Sequence, residues 1–156
     1  MNEIDIRCLK NLLYCIHELA SFEIQQKVWA CKINEWVSSY YEVMCTLYDD
    51  CAFEDYYLKH NEFQKYGYSK RLIMLFNEFN KEVKEFEEKK EPDEWEEKCQ
   101  YFKFWNDVQW IRISKLAKSL LKEWGKEEPL VYETLKSVIE EERKYGIYED
   151  SSSYFN

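Results

Sequence analysis

The chain has 156 residues, enough for one domain with a proper hydrophobic core and short for two. Three glycines and two prolines exclude a turn-rich β domain, and six Trp, nine Phe and thirteen Tyr exclude a disordered chain. A formal charge of −9 argues against docking on nucleic-acid phosphates or anionic lipid, and favours a basic protein partner steered in from a distance.

Long stretches without breakers predict helices. The first runs over 3–20, where Leu9, Leu12, Leu13, Ile16 and Leu19 follow the i, i+3, i+4, i+7 spacing of a buried stripe. Ser21 is placed to cap a second helix, expected to continue to about Tyr48 through Val28, Cys31, Trp36, Tyr40, Met44 and Leu47. Such a helix would span about 40 Å. Asp49 or Asp50 is then suited to cap a shorter helix over 51–65, with Gly67 at a left-handed C′ position and Ser69 capping the next.

From Lys70 to Lys90 the stripe is Leu72, Ile73, Phe76, Phe79, Val83 and Phe86. Pro92 marks the clearest break, and Asp93 with Glu96 resembles a capping box. A long helix is expected over 94–124, its stripe formed by Trp95, Cys99, Phe102, Trp105, Val108, Ile111, Leu116, Leu120 and Trp124. Gly125 ends it, and Phe104, Trp110 and Ile113 lie off that stripe. A last helix should begin near Pro129 and end at Gly146. The expected fold is therefore all-α: a single-domain antiparallel bundle of five or six helices, two of them long. It occupies 1–146, and 147–156 forms an acidic, serine-rich C-terminal tail.

Six cysteines stand at 8, 15, 31, 45, 51 and 99, and none forms a C-x-x-C pair. MNEIDIRCLK carries charge throughout, unlike a signal peptide, and no apolar run approaches the ~20 residues of a membrane span. A cytoplasmic protein with reduced thiols in its core is the expectation.

Catalytic signatures fail at their spacings. Tyr14 and Tyr57 occupy the positions three before His17 and His60, so no Glu-x-x-His pair exists, and Ser21 breaks a His-Glu-x-x-His from His17. His17 reads as a structural histidine. Glu87, Glu88 and Glu91 resemble the Glu-Glu-x-x-Glu half of the magnesium site of MazG-type nucleotide pyrophosphatases. The downstream Glu-x-x-Asp is missing, because Phe104 and Ile147 precede Asp107 and Asp150 by three. The Arg–His spacing of HEPN-type ribonucleases is likewise unmatched between Arg7 and His17.

What remains is LYDDCAFEDYYLKHNEF, residues 47–63. Residues 46–68 carry five acids against two bases, with aromatics Tyr48, Phe53, Tyr56, Tyr57, Phe63, Tyr66 and Tyr68 between them. Asp49, Asp50, Glu54 and Asp55 offer hard oxygen ligands, but their spacing is not that of an EF-hand, and helix capping explains them more simply. The tyrosines cannot all point inward from one short helix, and tyrosine is enriched at protein interfaces. The expected partner-binding surface is Tyr48, Asp49, Asp50, Glu54, Asp55, Tyr56, Tyr57 and Glu62, with no catalytic residue, metal or cofactor. In size, charge and lack of a catalytic motif the chain resembles immunity proteins and antitoxins, which implies a non-enzymatic protein that occludes the working surface of a basic toxin or nuclease. The alternatives are a phage-type inhibitor imitating nucleic-acid charge, and a helical metal-dependent nucleotide hydrolase using Glu87, Glu88 and Glu91 or the 49–55 acids.

Overall fold

A computed structural model describes residues 2–30 and 38–127. They form an all-α, single-domain helical bundle, with no strand among them. The α-helices are α1 (Glu3–Ala20), α2 (Phe22–Ile24), α3 (Tyr40–Cys45), α4 (Glu62–Lys65), α5 (Lys70–Glu87), α6 (Glu91–Glu97), α7 (Phe102–Asn106) and α8 (Val108–Trp124). Three wider π-helical segments interleave with them: π1 (Gln25–Ala30), π2 (Thr46–Asp50) and π3 (Phe53–Leu58). The expected helix after Pro129, its end at Gly146 and the 147–156 tail lie outside the described residues.

Several helix ends fall where local chemistry places them. Ser21 Oγ accepts from Ile24 N at 3.2 Å and Ser69 Oγ from Leu72 N at 3.1 Å, as N-caps do. Gly67 and Gly125 take φ of +78° and +71°. In each case the next amide closes a six-residue ring, Tyr68 N to Phe63 O at 3.1 Å and Lys126 N to Leu121 O at 2.9 Å, which is the Schellman arrangement.

The two longest expected helices are divided. Ser39 is fully extended, with φ −161° and ψ 173°, and caps α3 by accepting from Glu42 N, so no single helix runs from 22 to 48. The 94–124 segment breaks twice, at Cys99 with φ +54° and at Asp107. Asp107 is extended, and its carboxylate accepts from both Gln109 N and Trp110 N. Each break resets the helical phase. Phe104, Trp110 and Ile113 are therefore buried, while the expected stripe residues Phe102 and Val108 are exposed. No capping box forms at Asp93: Lys90 holds the N-cap position of α6, and Asp93 lies in its first turn.

The frame is the α5–α8 pair. Arg71 bonds Glu123 at 3.1 Å near one end, and Gln109 bonds Glu82 at 3.2 Å near the other, so the two run antiparallel. Helix α1 packs on α8, where Ser114 Oγ donates to Ala20 O at 3.1 Å. It also packs against π2, just past whose end Cys51 Sγ donates to Cys8 O. Two groups of aromatic rings fill the interior. Tyr40, Phe86, Phe104 and Trp110 meet with ring centroids 4.8–6.1 Å apart. Toward the other end Phe63 stacks on Phe76 at 4.3 Å and on Tyr57 at 5.2 Å, and Phe76 meets Trp124 edge-on at 5.3 Å. Such contacts add about 0.5–1.5 kcal/mol each beyond the area they bury.

Candidate functional site

The stretch 47–63 is not one helix but π2, π3 and the approach to α4, joined by left-handed turns at Ala52 (φ +48°) and Asn61 (φ +57°). This geometry answers how so many aromatic side chains find cover. Phe53, Tyr57 and Phe63 are fully buried, and Tyr48, Tyr66 and Tyr68 are half-buried against the core. Only Tyr56 of this group is exposed. Tyr57 and Glu62, both expected on the docking surface, are instead part of the interior; Glu62 is 9% exposed and pairs with Lys65 at 2.5 Å.

The aspartates do not cap a helix. Asp49 and Asp50 close π2, where Cys51 N bonds back to Thr46 O at 2.9 Å, and no side chain caps π3. Both remain exposed, as does Asp55, which pairs with Lys59 at 2.9 Å. Glu54 is half-buried and is tied into a chain of polar contacts across to α5. Tyr48 Oη donates to Asn80 Oδ1 at 2.9 Å, and Asn80 Nδ2 donates to Glu54 Oε2 at 2.7 Å. The Asn80 amide, helped by Lys84 and Lys59, holds the Glu54 carboxyl below its ordinary range. One turn further along α5, Lys84 Nζ sits 4.7 Å above the Tyr48 ring.

Beyond Lys84 this line of acids enters a cleft of about 260 Å³. Asp49, Glu87 and Asp93 stand at it as exposed carboxylates from π2, the last residue of α5 and the first turn of α6. Tyr40, Tyr41 and Tyr48 supply aromatic walls, with Met44 and Cys45 between them. Partial desolvation raises the Glu87 carboxyl; Lys84 opposes this, and the charges of Asp49 and Asp93 add to it. Burial, followed by Glu87 and Asp93, pushes the Tyr40 phenol far above its ordinary value. Only Asp49 and Tyr48 of the expected surface line this cleft. Of its other residues, Glu87 belongs to the Glu87, Glu88 and Glu91 run and Asp93 to the expected capping box, while Tyr40, Tyr41, Met44 and Cys45 carry no local motif.

The metal readings find no geometry to support them. Helix α5 ends at Glu87 while Glu91 opens α6, so Glu87, Glu88 and Glu91 do not share one helical face. Among the described residues no three His, Cys, Asp or Glu side chains gather as a metal site would require. His17 is buried, and burial lowers its pKa. Cys15 and Cys51 are buried thiols, Cys51 being pushed up to about 12, first by burial and then by Cys8. Among the described residues no helix is long and apolar enough to cross a membrane. Comparison with protein-family models, with curated proteins and with solved structures gives no match.

Proposed function

We propose that the chain is a non-enzymatic, cytoplasmic binding protein that neutralises a basic protein partner, in the manner of immunity proteins and antitoxins. It would do so by covering the partner's active or substrate-binding surface. The supporting observation is the acidic line along α5, from exposed Asp55 and half-buried Glu54 to Asp49 at the cleft with Glu87 and Asp93. Carboxylates so placed speed encounter with a cationic surface and set its orientation, while Tyr41 and Tyr56 offer exposed ring area.

The test is capture from host cells, followed by reconstitution with the purified partner. The wild type should form a stoichiometric complex whose association slows as salt rises, and Asp49→Lys/Asp50→Lys/Asp55→Lys should weaken it at least tenfold. Equal affinity in that variant would overturn the reading. So would a magnesium- or manganese-dependent thermal shift abolished by Glu87→Gln/Glu88→Gln/Glu91→Gln, which would favour the hydrolase.

A further inference from the structure

The cleft holds a feature that packing alone does not call for. Tyr40 is 3% exposed, and its hydroxyl has no hydrogen-bond partner among the described residues. A buried hydroxyl left unpaired is destabilising, so phenylalanine would serve the ring contacts to Phe86, Phe104 and Trp110 better. Tyr40 is a lining residue of the same cleft as Asp49, Glu87 and Asp93. The charges of Asp49 and Asp93 both act unfavourably on Glu87, which in addition sits at the C-terminal, negative end of α5, where an acid is disfavoured. An unpaired acceptor inside and like charges at the mouth, offset only in part by Lys84, are both unfavourable, and a further cation relieves both.

The geometry points to an organic cation as the occupant: the ammonium or guanidinium end of a lysine or arginine side chain presented by the basic partner. This assignment rests on the binding reading above and adds where the partner is gripped. The rim carboxylates hold the charge, the Tyr40 oxygen accepts one N–H, and the alkyl stem lies against Tyr41, Met44 and Tyr48. Lys84 on the Tyr48 ring shows that this wall already takes an ammonium on an aromatic face. Size favours one side chain over a larger metabolite, since about 260 Å³ falls just short of the ~300–1,000 Å³ of small-molecule pockets.

The experiment is a titration of ¹⁵N-labelled protein with n-butylammonium, n-butylguanidinium, acetyl-Gly-Lys-Gly-amide and spermidine, followed by amide shifts. Saturable shifts confined to residues 40–49 and 87–93 are expected. They should weaken at least tenfold in Glu87→Gln/Asp93→Asn and several-fold in Tyr40→Phe, whose melting temperature should equal or exceed that of the wild type. Shifts spread evenly over Asp50 and Asp55, or indifferent to Tyr40→Phe and to the double variant, would overturn the assignment. Tighter binding of spermidine than of the lysine peptide would assign the cleft to a free polyamine and overturn the side-chain source. If the reconstituted partner binds the cleft variants normally but not the Asp49/Asp50/Asp55 reversal, the cleft assignment falls and the binding reading stands. Loss of both, with no cationic ligand bound anywhere, refutes the two together.

Discussion

Gln25 is the side chain on which the junction of α1, π1 and α8 depends, and replacing it with leucine tests that dependence. It is fully buried. Its amide oxygen accepts from Trp110 Nε1 at 3.0 Å and from Trp105 Nε1 at 3.1 Å. Its amide nitrogen donates to Glu18 O at 2.8 Å and Leu19 O at 3.3 Å, carbonyls at the C-terminal end of α1. All the amide's strong bonding directions are thus used, and leucine would satisfy none of them. The indole of Trp110, itself fully buried, would lose its acceptor, while half-buried Trp105 can turn to water. One orphaned indole at about 1–3 kcal/mol, plus the lost amide donor to Leu19 O and to Glu18 O, which keeps Ser21 N at 3.3 Å, gives an expected loss of about 2–4 kcal/mol. Urea unfolding followed by tryptophan emission should show the lowered midpoint at unchanged slope. In a double-mutant cycle with Trp110→Phe, which removes the orphaned donor, the two losses should overlap by at least about 1 kcal/mol. A loss for Gln25→Leu below about 1 kcal/mol, or strict additivity with Trp110→Phe, would refute the account.

Burial raises the carboxyl of Glu18 to about 7 against the Ser38 hydroxyl that donates to it at 2.6 Å, so the folded protein keeps that proton to a higher pH than the unfolded chain does. Stability from this group is therefore full below about pH 4.5 and declines as pH rises through 7, by about 2 kcal/mol between pH 5.5 and 8. His17, its pKa lowered by burial, acts in the opposite sense in the wild type and the variant alike. The difference in unfolding free energy between Glu18→Gln and wild type, measured at pH 5.5 and 8, should change by that amount, and a pH-independent difference would refute it. Gly67→Ala places a β-carbon at φ +78° with nothing within 4 Å to strike, so only backbone strain should register: about 1 kcal/mol by chemical denaturation, and less for Gly67→Asn.

The parts of the fold legible in the sequence are those set by residues close along the chain. Ser21, Ser69, Gly67 and Gly125 each act on their own neighbours, and the structure finds them where capping chemistry puts them. The stripes of α1 and α5 survive because no break falls inside either helix. The stripe of 94–124 does not, because Asp107 restarts the helix with no glycine or proline to announce it. A period read across such a break is read in the wrong phase, which is why Trp110 appeared to lie off the stripe. Gln25 gave no signal either: its two indole partners are 80 and 85 residues away, and only the packed structure shows that a polar side chain belongs there.

The candidate site follows the same division. Asp49 and Tyr48 were visible because they sit in an acidic-aromatic run, and that run also drew in Tyr57 and Glu62, which the turns at Ala52 and Asn61 fold inward. The residues that complete the cleft, Tyr40, Glu87 and Asp93, lie in three different elements, each with an ordinary local role: the first turn of one helix, the end of another and the start of a third. Two of them carry an energetic cost. Tyr40 keeps a hydroxyl that nothing in the described structure uses, and Glu87 keeps a charge at the helix end least suited to it. Neither choice helps the chain fold. Local consistency is what a folding sequence is expected to show, and departures from it gather at sites that work. Two such departures on the walls of one cleft, both relieved by the same positive charge, therefore weigh more than the acidic run that first draws the eye.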